Sequence, residues 1–298
     1  MTSQQKFFLG VDGGGSKCRV LLTDEQGTAL GEGISGPANP NQGLDLAINS
    51  ILCATEQALK DAGLSSDHID QLYAGVGLAG VNLPKYRRML EQWDHPFAQM
   101  HITTDLEIAC LGAHDGEDGA VIISGTGSVG MARVDGEQHA FGGYGFSVGD
   151  QGSGAWIGHQ AVINSLLALD GLRPVSELVP RLLSHTQCTD AQQLAEKMAN
   201  LPPSAYARLA PLVIEQAESQ QDAIALDILM SAADYINQLS RKLLTYHPPR
   251  LAMIGGLATP LHPWLAEDVK PHIKAAIHSP EVGAILFVKQ KNAISENL

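Results

Sequence analysis

Two carboxylates and two glycine–hydroxyl loops are the residues of this 298-residue chain best suited to chemistry. Asp12 stands in Gly10-Val11-Asp12-Gly13-Gly14-Gly15-Ser16-Lys17, between the apolar runs 7–11 and 18–22. Three successive glycines leave backbone N–H groups with no Cβ beside them, so a phosphate can approach closely and take several hydrogen bonds at once. Asp12 then stands where a hydrated divalent cation would bridge to that phosphate, and Ser16 and Lys17 add a hydroxyl and a positive charge. In isolation the same stretch also reads as a hairpin turn with no ligand. Asp105 follows Met100-His101-Ile102-Thr103-Thr104 and precedes the helical stretch 106–113. It therefore lies at the carboxyl end of a strand and the start of a helix, where open α/β folds bind ligands. An N-cap and a general base are both open to it, and the two roles are compatible.

A second copy of the glycine hairpin favours the ligand reading of the first. Val121-Ile122-Ile123 leads into Ser124-Gly125-Thr126-Gly127-Ser128, then Val129 to Val134 and the turn Asp135-Gly136, with a third strand at Gln138 to Phe141. The first copy has the same order, with 24–27 as its turn and 28–33 as its third strand. Two units of strand, loop, strand, turn and strand imply a duplicated architecture whose loops face each other across a cleft, and a nucleotide triphosphate suits it. Around these units, Ser35 to Asn41 is a stiff, amide-rich loop, either a surface connection or a substrate loop using Asn39. Helices are expected over 43–59, with Gly63 as its C-cap, and over 83–93; 72–78 reads as a buried strand. Phe141 to Gly154 alternates glycine with aromatic and apolar residues before a helix at 153–169, the pattern of a packed binding loop. Most of 174–261 has helical period, 250–254 is a strand ending in Gly255-Gly256, and Ser279-Pro280-Glu281 opens a last helix expected to pack on the N-terminal domain.

Length predicts two domains, 1–113 plus 286–298 and 114–285. With 44% hydrophobic and 17% charged residues the chain is an ordinary globule, not a disordered one. No apolar run reaches a membrane-spanning length and residues 1–6 are polar, so a cytoplasmic protein with no membrane partner is expected. Cys18, Cys53, Cys110 and Cys188 are scattered and read as reduced core thiols, not a metal or disulfide framework. A formal net charge of −13 argues against nucleic acid as partner. It also repels ATP at long range, so a nucleotide site must work through local amides and a metal ion.

Gly125-Thr126-Gly127-Ser128-Val129-Gly130 matches the dinucleotide fingerprint G-x-G-x-x-G, but that motif must open a helix, and Val129 to Val134 is β-branched and stopped by a turn. Gly10 to Lys17 is similarly no P-loop: the order is Ser-Lys and a strand follows.

Taken together, Asp12 to Ser16, Thr103-Thr104-Asp105, Ser124 to Ser128, Gly142 to Gly145, Gly149 to Ser153 and Ile254-Gly255-Gly256 closely resemble N-acetylglucosamine kinases, and do so over nearly the whole chain. These belong to the BadF/BadG/BcrA/BcrD-type ATPases, with the dehydratase activators, in the actin, hexokinase and Hsp70 superfamily. The resemblance implies a duplicated ribonuclease-H-like α/β fold with ATP held by Gly13, Gly14, Gly15, Ser16, Lys17, Gly125, Thr126, Gly127, Gly255 and Gly256. It implies a sugar contacted by Asn39, Thr104, Gly143, Tyr144, Gly145 and Asp150, with Asp105 taking the proton from the 6-hydroxyl and Asp12 holding Mg²⁺ through water. Ala79 departs from a serine of human-type members and Gln151 from a frequent glutamate. The cysteines of the activators' iron–sulfur bridge and of zinc-binding sugar kinases are absent. A homodimer that phosphorylates N-acetylglucosamine at O6 is the implied protein. A glucosamine-specific kinase and a non-catalytic sugar or ATP sensor are the alternatives, although 298 residues leave no separate room for a DNA-binding module.

Overall fold

The computed structural model describes residues 6–296 as two compact units, Met1–Gly119 with Ala275–Leu298, and Ala120–Lys274. The chain crosses at 119/120 and 274/275, where boundaries at 113/114 and 285/286 were expected. The second unit starts at the second residue of the strand Gly119–Ser124, while the whole last helix lies on the first unit.

The first unit contains strands β1 (Phe7–Gly13), β2 (Cys18–Thr23), β3 (Ala29–Ser35), β4 (Leu72–Leu78) and β5 (Gln99–Thr104) in the order β3-β2-β1-β4-β5. β1, β2 and β3 form an antiparallel meander, and β4 and β5 join β1 in parallel. Its helices are α1 (Leu44–Asp61), α2 (Pro84–Glu91), α3 (Asp105–Ala113) and the last helix, Pro280–Glu296. Helix α1 buries Ala47, Ile51, Ala54, Ala58 and Leu59 against Leu9, Val11, Val20, Leu22, Leu72 and Val76, one alternating face of the sheet. Each large side chain so buried contributes about 1.5–3 kcal/mol. Ala62 caps α1, and Gly63 follows it with φ 71°.

The second unit contains β6 (Gly119–Ser124), β7 (Ser128–Val134), β8 (Glu137–Gly142), β9 (Leu251–Ile254) and β10 (Ile273–Lys274), in the order β10-β9-β6-β7-β8. Read from the meander inward, this repeats the strand order of the first unit, so the fold is the expected duplicated α/β one. Its helices are α4 (Gly154–Leu169), α5 (Leu178–Thr186), α6 (Ala191–Met198), α7 (Pro203–Ala207), α8 (Ala210–Gln220), α9 (Ala223–Leu244) and α10 (Ala258–Leu261). The last helix of the chain is then α11 (Pro280–Glu296). Buried Ile122, Ile157, Val213, Ile228, Leu229, Ile236 and Leu243 are among the residues of this unit's core.

The opposite face of the first sheet is built for close approach. An added Cβ on Gly10 would lie 2.0 Å from the Glu281 carbonyl oxygen, and one on Gly75 2.0 Å from that of Ala284. Helix α11 therefore rests directly on the strand backbones, a distance only glycine allows. Among the described residues no helix is long and apolar enough to cross a membrane. Cys18, Cys110 and Cys188 are buried, but Cys53 is exposed on α1 and is not a core thiol.

Candidate active site

Strand register explains how the first unit gathers its candidate residues. Gly13 pairs with Leu78, and Leu78 with Thr104, so the carboxyl ends of β1, β4 and β5 are level. The segments leaving that edge are stitched together: the Ala79 N–H donates to the Gly13 carbonyl (2.9 Å) and the Ala38 N–H to that of Gly14 (2.9 Å). Asn39 is held by its own turn, its Oδ1 accepting from the Asn41 N–H at 2.9 Å, and lies against Gly80. Gln42, which the sequence did not single out, donates to the Gly15 carbonyl at 2.9 Å. The edge thus carries Gly13 to Gly15, Asn39, Thr104 and Asp105 in one row, while Ser16 and Lys17 are exposed at the hairpin tip.

Asp105 is not the N-cap of α3. Thr104 is, with extended φ/ψ (−81°, 152°) and its Oγ1 accepting from the Glu107 N–H at 3.1 Å. Asp105 begins the helix, and its Oδ1 accepts from the Leu106 N–H at 2.9 Å. Either residue type can cap, and only the dihedral at Thr104 decides which does. The Thr103 hydroxyl donates to the Glu107 carboxylate, which locks the corner from the other side. Thr104-x-x-Glu107 is the capping-box spacing, the signal by which Glu107 could have been found in the sequence.

Burial pushes the Asp105 carboxyl up to about 6, against the lowering effect of the Leu106 N–H and its own. Asp12 is pushed to about 7, first by burial, then by the charges of Glu281 and Asp105, with Arg19 and Lys17 opposing. A carboxylate held this far from its ordinary range favours a proton or a cation. Among the described residues no group of three or more His, Cys, Asp or Glu could hold a metal ion alone. The donor set fits a hydrated divalent ion that takes most of its ligands from water and phosphate oxygens, with Asp12 as a protein contact. Burial, aided by Asp12, raises the Cys18 thiol beneath the hairpin to about 12, so it stays protonated.

In the second unit the Gly125 to Gly127 loop sits on the start of α4. The Gly154 N–H donates to the Gly125 carbonyl at 2.8 Å, and the Ser124 and Ser128 hydroxyls donate to the Gly152 and Gln151 carbonyls. Ser153 caps α4, its Oγ accepting from the Trp156 N–H. β9 ends beside β6, and the Leu257 N–H donates to the Ser124 carbonyl at 3.0 Å, which sets Gly255-Gly256 against the loop. Asp150 is buried at φ 62°, within 2.8 Å of where a Cβ on Gly127 would stand, and its Oδ1 has no hydrogen-bond partner. Burial raises its carboxyl, while the N–H groups of Gly145 and Ser128 lower it. Gly143 and Gly145 hold φ of 70° and 95° on either side of Tyr144, which is 78% exposed. Phe146 anchors this turn between the rings of His159 and Tyr206.

The glycines divide into two kinds. At Gly13 a Cβ would strike buried Leu78 at 2.3 Å and at Gly255 the Ser124 carbonyl at 2.3 Å, so the fold itself requires these two, whereas at Gly127 it would meet only the end of the Asp150 side chain at 2.8 Å. Gly14 has only the Lys17 carbonyl at 3.7 Å, and Gly125 and Gly256 have nothing within 4 Å. Packing places no demand for glycine there; a ligand lying against the backbone would.

The family model for BadF/BadG/BcrA/BcrD ATPases matches residues 9–288. Glucosamine kinase GspK of Vibrio cholerae is 34% identical over 281 residues, 94% of this chain and 95% of the relative. N-acetyl-D-glucosamine kinase of Dictyostelium discoideum is 30% identical over 258 residues, covering 80% and 81%. The crystal structure of a candidate N-acetylglucosamine kinase from Chromobacterium violaceum superposes with a TM-score of 0.90 at 32% identity, covering 95% of this chain and 99% of that one. The strand order, repeated in both units, is that of actin-like ATPases with a duplicated ribonuclease-H-like fold. With the match running from β1 into α11, the chain belongs to the BadF/BadG/BcrA/BcrD ATPase family.

Proposed function

We propose that this chain is an amino-sugar kinase that transfers the γ-phosphoryl group of ATP to the 6-hydroxyl of N-acetylglucosamine. The observation that carries the reading is the level carboxyl edge of β1, β4 and β5, which lines up a glycine hairpin, Asn39 and a raised carboxylate at Asp105. The names of the relatives support the amino-sugar class. In this reading Gly13 to Lys17, Gly125 to Gly127 and Gly255-Gly256 hold the nucleotide phosphates. Asn39, Thr104, Gly143 to Gly145 and Asp150 hold the sugar. Asp105 orients the hydroxyl and accepts its proton as the phosphoryl group arrives. A bound Mg²⁺ would supply charge neutralisation at the phosphates, and Asp12 is the residue proposed to hold it. The proposal extends to a cytoplasmic homodimer, and light scattering tests the dimer. An ADP-release assay across amino sugars and hexoses tests the activity: turnover is expected with amino sugars and not with glucose.

Glucosamine is the second reading, and one observation favours it. The Asp150 Oδ1 is a buried carboxylate oxygen without a partner, which an ammonium would satisfy. The acetylated sugar offers an amide donor and a methyl instead, suited to Asn39 and the Gly143-Tyr144-Gly145 turn. A pocket that leaves the wrong group unpaired loses about 1–3 kcal/mol, roughly a ten- to hundredfold preference. The kcat/KM for N-acetylglucosamine is expected to be the higher by that factor. The reverse ranking selects glucosamine and leaves the kinase assignment intact.

The open side of Gly14 gives a test of the nucleotide loop. Gly14→Val meets no close neighbour in the protein, so the fold should be retained while the new side chain occupies the phosphate approach. Calorimetry is expected to show ATP binding abolished in a variant that melts like the parent. Parent-like ATP affinity would remove the hairpin from the nucleotide site.

A further inference from the structure

Tyr235 has no part in the reading above, yet its hydroxyl reaches the loop assigned to the sugar. It lies on α9, whose residues Ala232, Ile236, Leu239 and Leu243 share one buried face. That face runs along the second sheet: a Cβ on Gly130 would meet Leu239 and Leu243, and one on Gly142, at the end of β8, would stand 2.8 Å from the Tyr235 Oη. A Cβ on Gly152 would meet Ile236 at 2.9 Å and the Ala232 carbonyl at 3.0 Å. One turn of α9 therefore touches both ends of the loop 142–152.

Between those ends the loop is tied to itself and to Asp150. The Gly143 N–H donates to the Ser128 carbonyl (3.0 Å), the Gly149 N–H to the Gly145 carbonyl (2.8 Å) and the Ser153 N–H to the Asp150 carbonyl (3.0 Å). The Asp150 carboxylate in turn faces the N–H groups of Gly145 and Ser128. A displacement at Gly142 thus reaches Gly145 and Asp150 through a short run of hydrogen-bonded backbone. The atom of Tyr235 nearest to that Cβ position is its hydroxyl oxygen, so a phenyl ring in its place would stop short. Burial, then the neighbouring Asp150 and Tyr144, raise the phenol, which keeps its proton as a neutral donor.

We propose that Tyr235 is a positioning residue of the sugar site: its hydroxyl braces Gly142 and so holds the Gly143-Tyr144-Gly145 turn and Asp150 where an amino sugar meets them. The inference rests on the sugar reading of this loop, and the experiment separates the two. KM and kcat are measured for N-acetylglucosamine and glucosamine at saturating ATP, and ADP affinity by calorimetry. Tyr235→Phe, which removes only the bracing oxygen, is expected to raise the KM of the preferred sugar about 3- to 10-fold, with kcat and ADP affinity retained. A purely structural loss would lower the melting temperature and leave KM as it was. Gly142→Ala is expected to raise KM further, since its Cβ meets the hydroxyl, and to raise it by a smaller factor in the Tyr235→Phe background, where the space is open. The φ of 78° strains alanine equally in both backgrounds, so the comparison isolates the contact. If the parent phosphorylates neither sugar, the sugar reading fails and the inference with it. If the parent is active and Tyr235→Phe keeps its KM, or the two substitutions act independently, only the role of Tyr235 is overturned. Should Tyr235→Phe not fold, a parent-like KM in Gly142→Ala overturns it instead.

Discussion

Asp105→Asn is expected to lower kcat by about 10²- to 10⁴-fold, the range spanned by a positioned general base. The amide keeps the shape of the side chain, and Thr104, not Asp105, caps α3, so the helix start should survive. The fall should appear in kcat more than in KM, because sugar and nucleotide still bind. The acid limb of the parent profile follows from the same environment. Burial raises the carboxyl to about 6, so the base is protonated below that pH and activity should rise as pH increases through it. Stability should move the other way. In the unfolded chain the group titrates near 3.9, and in the folded one near 6, so folding binds a proton between those values. The destabilisation grows as pH rises through that window and is complete above it. Asp105→Asn removes it, and its melting temperature relative to the parent should be higher at pH 8 than at pH 4. Near-normal turnover in this variant would return Asp105 to a purely local role.

Gly10→Val is expected to destabilise the protein by roughly 3 kcal/mol or more, a large effect for one substitution. Sequence pattern alone points to the opposite sign, since Val is a better strand residue than Gly, by up to about 1 kcal/mol. The contact decides: the new Cβ would sit 2.0 Å from the Glu281 carbonyl oxygen and 2.9 Å from Ile285. A backbone oxygen cannot rotate out of the way as a side chain can, so α11 would have to lift off β1. Urea denaturation should give a lower midpoint, and a parent-like midpoint would show that α11 can shift at little cost.

These cases mark where the sequence was readable. The hairpins around Gly13 and Gly125 were legible because strands, turns and glycines alternate within short windows, which local physics alone determines. The capping at Thr104 was not, since Thr and Asp are both good caps and a dihedral angle separates them. Strand β10 was illegible for a different reason: two residues, Ile273 and Lys274, become a strand only through their parallel pairing with Leu251 and Ala252. Gly10 was read as part of a ligand loop's approach, whereas its immediate demand comes from a helix more than two hundred and fifty positions later in the chain. Asp105, Asp12 and the glycine runs could be proposed from residue type and Glu107 from its capping-box spacing, but Glu281 is brought near Asp12 only by folding.

The seat of α11 on β1 and β4 also orders events during synthesis. The second unit is one continuous segment, Ala120–Lys274, and can complete its core as soon as it leaves the ribosome. The first unit cannot. The face of its sheet bearing Gly10 and Gly75 waits for residues 280–296, which emerge after the whole of the second unit has been made. Until then that face is covered only in part, by Ile108 of α3 against Gly77. The glycine hairpin at the start of the chain thus acquires its finished platform last.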